Sequence, residues 1–247
     1  MTKAIFILGT DTDVGKTVIS AGLMYQFLQK GHNACYFKPI SSGAIEKEGE
    51  LFSYDLSFVK KVSGLDEEDD RINPFRYKTA VSPHLAARME KKKVDIPAIV
   101  ETYKQLKAQY DVLIVEGCGG LAVPLTEEGY MQYELIKELD ISCFLVTKTT
   151  LGTINHSYLT CKMAEQLGIK IEGLIFNNYR GSFLENDNIK TVSKITQLPV
   201  LAVIPAIEAL QVENLEAGNL KEVFTQFNFM KIQEIEDPRD STGRIEI

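Results

Sequence analysis

Short apolar runs alternate along this chain with longer segments of mixed polarity. The runs fall at residues 4–8, 34–37, 112–115, 143–146, 173–176 and 200–204. Each is continuously apolar rather than alternating, which predicts parallel strands covered on both faces. Between them the pattern becomes amphipathic and predicts helices at 16–29, 51–62, 97–109, 133–138, 154–167 and 186–195. Gly31 and Gly168 follow two of these segments, where a C-terminal cap is expected. The strand–helix alternation implies an α/β fold: a doubly wound, mostly parallel sheet with helices on both faces. No internal repeat is evident. Residues 1–236 are read as a single domain and 237–247 as a polar tail, expected to be partly disordered.

Composition narrows the picture. Of 247 residues, 45% are hydrophobic, enough for a full core. A net charge of -7 lacks the overall basic footprint of a nucleic-acid binder, although a local basic patch stays open. No apolar run is long enough to span a membrane. The N-terminus reads directly as a strand, not as a signal peptide. Cys35, Cys118, Cys143 and Cys161 form no CxxC pair. Reduced, mostly buried thiols in a cytoplasmic protein are therefore expected. The acidic stretches 46–50 and 66–70 read as solvated loops, because no Gly-spaced ligand pattern accompanies them. Lys91-Lys92-Lys93 reads as a solvated helix end, and His32 as an exposed turn residue. His84 and His156 lie near helix starts, where capping or structural roles are expected.

The chemistry gathers at strand ends. After the first run comes GTDTDVGKT, residues 9–17. Five residues separate its glycines, one more than in the common phosphate-binding loop. A wider loop still curls around a phosphate if the GKT corner is kept. Backbone N–H groups and a helix N-terminus make the cradle. Lys16 brings a positive charge to phosphoryl oxygens, and Thr17 a hydroxyl to Mg²⁺. Lys38, Glu116 and Asn177 each follow another run. Ligands of open parallel sheets bind at the carboxyl ends of strands, so Lys16, Lys38, Glu116 and Asn177 are expected to face one crevice. Glu116 opens EGCGG and suits Mg²⁺ directly or through water. Cys118 in that turn has no evident base and reads as a small filler. KPISSG, residues 38–43, sets a second lysine beside hydroxyls, suited to an anionic substrate group. On spacing alone, Asp55 is an arbitrary choice as a second carboxylate.

The set GTDTDVGKT, KPISSG, SPHLAA, VEGCGG, LGTINH and the NN after the run at 173–176 resembles dethiobiotin synthetases. The resemblance covers residues 4–205 and implies a P-loop NTPase-like fold. It implies an ATP-dependent cyclo-ligase of biotin biosynthesis that uses ATP, Mg²⁺, CO₂ and 7,8-diaminononanoate (diaminopelargonate). Under it, Lys38, Lys16 and Thr12 are catalytic. Asp13, Val14, Gly15, Lys16, Thr17, Val18, Glu116, Asn177 and Pro205 bind nucleotide. Thr17, Asp55 and Glu116 hold the metal. Thr12, Lys38, Ser42, Gly152, Thr153 and Asn155 meet the substrate. Asp13 departs from the glutamate often found there. The family also implies a homodimer in which the LGTIN segment reaches the partner's site, with neither nucleic acid nor membrane as a partner. The main rival is a ParA/MinD-like ATPase switch. Its signature lysine would fall at Asp11, so an acid stands where that switch needs a base. A related ligase with a glutaminase domain lacks room here, and a non-catalytic nucleotide-binding module leaves two lysines and two carboxylates unexplained.

Overall fold

The computed structural model describes residues 2–227. The tail expected at 237–247, and the last residues of the expected domain, lie outside the described residues. Strand β1 (Lys3–Gly9) leads into helix α1 (Lys16–Gln29) and strand β2 (Ala34–Phe37). An excursion follows: β3 (Ile40–Ser42), β4 (Ile45–Lys47), β5 (Glu50–Phe52), α2 (Tyr54–Ser63), α3 (Asp69–Ile72), β6 (Phe75–Tyr77) and α4 (Pro83–Glu90). Regular alternation then resumes with α5 (Ile96–Gln109), β7 (Val112–Glu116), α6 (Gln132–Glu138), β8 (Ser142–Lys148) and α7 (Thr153–Gln166). It ends with β9 (Ile171–Tyr179), α8 (Phe183–Thr196), β10 (Val200–Pro205) and α9 (Leu220–Thr225).

Six strands form one parallel sheet in the order β10-β9-β8-β1-β7-β2. Successive residues of a strand point to opposite faces. Ile5, Phe6, Ile7 and Leu8 are nevertheless all buried, as are Leu113, Ile114 and Val115, so both faces are covered. That is why these strands are continuous apolar runs. Strand order reverses around β1, with β7 and β2 to one side and β8, β9 and β10 to the other. A binding crevice belongs at the carboxyl ends beside such a reversal.

Local chemistry sets the helix ends. Gly31 and Gly168 take left-handed φ values of 78° and 72° just past α1 and α7, as the sequence leads one to expect. Helix α2 starts later than the expected residue 51. Leu51 and Phe52 pair instead with Glu46 and Ile45 in a hairpin, and Ser53 caps the helix. Helices α3 and α9 and the short strands β3 to β6 lie outside the expected set, being too short to carry a period; α4 matches the helix start expected near His84 and the helix end expected at Lys91-Lys92-Lys93. His32 is half-buried rather than exposed, edge-on to the Phe27 ring at 5.8 Å between centroids. Lys91 to Lys93 are exposed, as expected. In the 66–70 stretch Asp66, Glu68 and Asp70 are exposed, while Glu67 pairs with Arg71 and accepts from Tyr110. Cys35, Cys143 and Cys161 are buried, Cys118 is half-buried, and all four are free thiols.

Two features carry expected outcomes. Helix α9 packs on α1 where Gly22 offers no side chain, and a β-carbon there would collide with the Phe224 ring. Gly22→Ala is expected to destabilise the fold by about 1–3 kcal/mol through overpacking, despite the better helix propensity of Ala, as measured by urea unfolding.

Glu185 is 5% exposed and its carboxylate has only neutral donors around it. Thr149 Oγ1 lies at 2.6 Å, Ser182 Oγ at 2.8 Å, and the Ser182 and Arg180 amides at 2.9 and 3.1 Å. The Thr149 hydrogen bond leads the causes that hold its pKa at about 2, below the ordinary 4.5. A depressed carboxylate stabilises the fold above its unfolded pKa, and that contribution is lost as pH falls from about 4.5 toward 2. In Glu185→Gln this acid-dependent loss is expected to shrink, read as unfolding midpoints across that window.

Candidate active site

Residues 10–15 connect β1 to α1, and their contour depends on close approach of backbone to side chain. A β-carbon on Gly9 would lie 2.7 Å from the Asp11 carbonyl and 2.9 Å from Lys16 Nζ. Gly15, at φ 95°, is the N-cap of α1, and a β-carbon there would collide with the Asn177 amide. Asp13 also adopts positive φ, 57°, which a short polar side chain tolerates better than most. The widened loop brings the Asp11 carbonyl to Lys16, whose ammonium donates to it at 3.0 Å. Asn177, near the end of β9, donates to the Val14 carbonyl at 3.0 Å. The loop is thus tied to a strand two places across the sheet.

Beside the loop lies a buried charge cluster. Lys38 follows β2 and Glu116 ends β7, and Phe37 is in register with Val115. Parallel pairing therefore delivers both side chains to one level. Lys38 Nζ lies 2.7 Å from Glu116 Oε1 and 2.5 Å from Asp55 Oδ2. Asp55 is in the first turn of α2. Thr17 Oγ1 donates to Glu116 Oε1 at 2.8 Å and lies 3.1 Å from Asp55 Oδ1. Tyr36 donates to Glu116 Oε2 at 2.9 Å. The side chains of Lys38 and Glu116 are 5% and 0% exposed, whereas that of Asp55 keeps 33%.

Burial alone would drive the Lys38 ammonium toward neutrality, but Asp55 and Glu116 outweigh it and raise its pKa. Burial likewise opposes the Asp55 carboxylate, and Lys38 overrides that to lower its pKa. Lys16, 7% exposed, has no carboxylate bonded to it among the described residues. Burial and then the Lys38 charge lower its pKa, so the two lysines feel one another within one crevice. An anion entering between them would relieve that repulsion. Thr17, Asp55 and Glu116 form a hard-oxygen donor set of the kind Mg²⁺ takes, with one or two carboxylates and phosphate completing its shell.

The turn after Glu116 is pinned by Gln132. Its Oε1 accepts from the Cys118 amide at 2.7 Å and its Nε2 donates to the Gly120 carbonyl at 2.7 Å. Burial pushes the Cys118 thiol up, away from a nucleophilic thiolate. The Lys38 carbonyl accepts from Asn73 Nδ2 at 2.6 Å, and Asn73 Oδ1 accepts from Ser41 at 2.9 Å. Tyr36, Gln132 and Asn73 escape the sequence reading. Tyr36 carried one signal: in a strand it shares a face with the residue two positions on, Lys38.

Other expected site residues stand around this centre. Thr12 is exposed on the loop, near Gly119. Val14, within the loop, and Val18, in the first turn of α1, are buried. Ser42 is exposed at the end of β3, with no hydrogen bond to the Lys38 cluster among the described residues, and Pro205 ends β10. Gly152, at φ 95°, caps α7, and Asn155 is exposed in its first turn. The Thr153 hydroxyl is engaged internally, 2.6 Å from the Lys148 carbonyl and 2.9 Å from Thr147 Oγ1. Thr147 Oγ1 in turn accepts from Thr10 at 3.1 Å, so hydroxyls link the start of α7 to the loop. A separate cleft of about 220 Å³ opens at the opposite ends of β1 and β8, lined by Lys3, Lys107, Asp140 and Glu172 among others.

Comparison with known proteins fits this geometry. A family described as an AAA domain matches residues 3–214. An ATP-dependent dethiobiotin synthetase of Clostridium kluyveri is 44% identical over 95% of this chain and 99% of its own length. That of Caldicellulosiruptor saccharolyticus is 42% identical over 90% and 92%. Among solved structures, the MinD cell division protein of Aquifex aeolicus superposes with a TM-score of 0.63 at 13% identity, covering 96% of this chain and 99% of that one. A ParA family ATPase from Chlorobium tepidum gives 0.58 at 14%, covering 91% and 96%. These distant likenesses establish the doubly wound fold alone. The near relatives, aligned almost end to end, place the chain in the dethiobiotin synthetase family.

Proposed function

We propose that the protein is an ATP-dependent dethiobiotin synthetase, closing the ureido ring on 7,8-diaminononanoate with CO₂. The observation that carries this reading is the Lys38 ammonium, buried at one point with Thr17 of the phosphate loop and with Asp55 and Glu116. The rival ATPase switch carries its second lysine within the loop, where Asp11 stands in this chain. In the reaction, one substrate amine adds to CO₂ and loses a proton, giving a carbamate. A carbamate oxygen attacks the γ-phosphorus, the bond to the β-phosphate oxygen breaks, and ADP leaves. The second amine attacks the carbon of the mixed anhydride, and its C–O bond to phosphate breaks. Inorganic phosphate leaves as the ring closes and the amine sheds its proton.

The chain's part is positioning and charge neutralisation. Lys16 exchanges the Asp11 carbonyl for γ-phosphate oxygens. Lys38 is kept charged by two carboxylates, and a carbamate offers it a third partner of the same chemistry. Thr17, Asp55 and Glu116 would hold Mg²⁺, which when bound neutralises phosphate charge and orients the β- and γ-oxygens. Residues 13–18, Glu116 and Asn177 bind the nucleotide, with Pro205 bordering the base, and Thr12 stands beside the reacting groups. Ser42 holds the carbamate end of the substrate. Gly152, Thr153 and Asn155 take its carboxylate at the N-terminus of α7 in a homodimer. Exposed Leu151, Tyr158, Leu159 and Met163 on and beside α7 support that pairing. A cytoplasmic site of action completes the reading; among the described residues no helix is long and apolar enough to cross a membrane.

The direct test supplies ATP, Mg²⁺, bicarbonate and the diamine and follows ADP and ring-closed product. Both are expected in equal amounts and only with the diamine. ADP release indifferent to the diamine but raised by DNA or lipid would favour the ATPase switch. Lys16→Ala is expected to lower kcat by about 10²–10³-fold, the usual loss on removing a preorganised charge-stabilising donor. Lys38→Ala should lower kcat on the same order while leaving nucleotide affinity near the parent value. Equal losses in both parameters would contradict its role at the carbamate.

A further inference from the structure

Tyr36 has no part in the chemistry above, yet it is 0% exposed and bonded to the centre of it. Its hydroxyl donates to Glu116 Oε2 at 2.9 Å. The other oxygen, Oε1, accepts from Thr17 Oγ1 at 2.8 Å and from Lys38 Nζ at 2.7 Å. The two carboxylate oxygens therefore face different surroundings. Oε1 looks toward the phosphate loop and the lysine. Oε2 looks toward the strands, where among the described residues Tyr36 is its hydrogen-bond partner. Register explains the reach. Tyr36 pairs with Ile114, and both Lys38 and Glu116 lie two residues further on, so the phenol runs along the sheet face to the carboxylate above it.

We propose that Tyr36 is a positioning residue for divalent-cation binding: it fixes the carboxylate plane of Glu116 so that Oε1 stays presented beside Thr17. This rests on the metal assignment made above. The terminal torsion of a glutamate is broad and two-fold, so nothing intrinsic holds that plane. Thr17 and Lys38 are the groups that must change partners when phosphate and carbamate arrive. Tyr36 is the partner whose direction is closed to any ligand, because its ring is wholly buried, and its bond outlasts that exchange. Donors of this kind behind a metal ligand typically change metal affinity or activity by about 10–100-fold when removed.

Tyr36→Phe keeps the ring and removes the donor. The measurement is binding of a fluorescent ATP analogue, first in EDTA and then over a Mg²⁺ titration, so that it is independent of turnover. Half-saturating Mg²⁺ is expected to rise by about 10-fold or more, while affinity in EDTA stays at the parent value. An unchanged Mg²⁺ midpoint would overturn the proposal, as would an equal loss in EDTA, which marks general damage to the pocket. Tyr36→Phe combined with Glu116→Gln leaves no bare carboxylate and protects folding. It is expected to match Glu116→Gln alone, and a further shift would mean that Tyr36 acts by another route. A parent protein whose nucleotide binding ignores Mg²⁺ would sink the metal assignment itself, a result distinguishable from failure of Tyr36 alone.

Discussion

The site depends on holding one ammonium and two carboxylates in a place largely closed to water. An isolated buried charge is costly, and removing one member of a buried ion pair typically costs about 3–5 kcal/mol. Lys38 avoids isolation by lying between Asp55 and Glu116, and Glu116 by accepting from Thr17 and Tyr36 as well. Each of the four carboxylate oxygens lies within 3.1 Å of Lys38, Thr17 or Tyr36. Binding then becomes an exchange of one set of ionic partners for another, which is less costly than stripping water from bare charges at each turnover. Catalytic preorganisation of this sort requires rigid supports. Here they are the ends of two adjacent parallel strands, β2 and β7, whose residues 34–37 and 112–115 pair in unbroken register.

The six strands and their helices were legible because a parallel sheet covered on both faces leaves a signal that hardly any other arrangement leaves. The excursion between β2 and α5 was not. Its strands have three residues each, and the apolar pair Leu51-Phe52 imitates the start of a helix while serving a hairpin. The charged centre was half legible. Lys16, Lys38 and Glu116 announce themselves by standing at strand or loop ends. Asp55 had no such mark, and only the fold brings α2 back over the phosphate loop. Tyr36, Asn73 and Gln132 are ordinary residues in ordinary segments. Their partners are 80, 35 and 14 positions away, and such pairing has no local trace.

In the widened loop the Asp11 carbonyl lies against the lysine that closes the motif, giving Lys16 a neutral partner. A carbonyl satisfies the ammonium without cancelling its charge. Lys16 therefore stays electropositive, and the Lys38 charge nearby weakens its hold on its proton. The crevice is primed for an anion by repulsion between two lysines, one of them tethered by carboxylates and the other only by backbone.

Asn177 joins these parts in a different way. Its amide nitrogen is committed to the Val14 carbonyl and fills the volume that any side chain at position 15 would need. One planar group thereby gauges the height of the loop above the sheet. If the same amide also meets the purine, base and triphosphate are measured from a single ruler. Drift in nucleotide preference at this position would then be mechanically coupled to phosphate geometry, and the two ends of the nucleotide pocket would evolve in step.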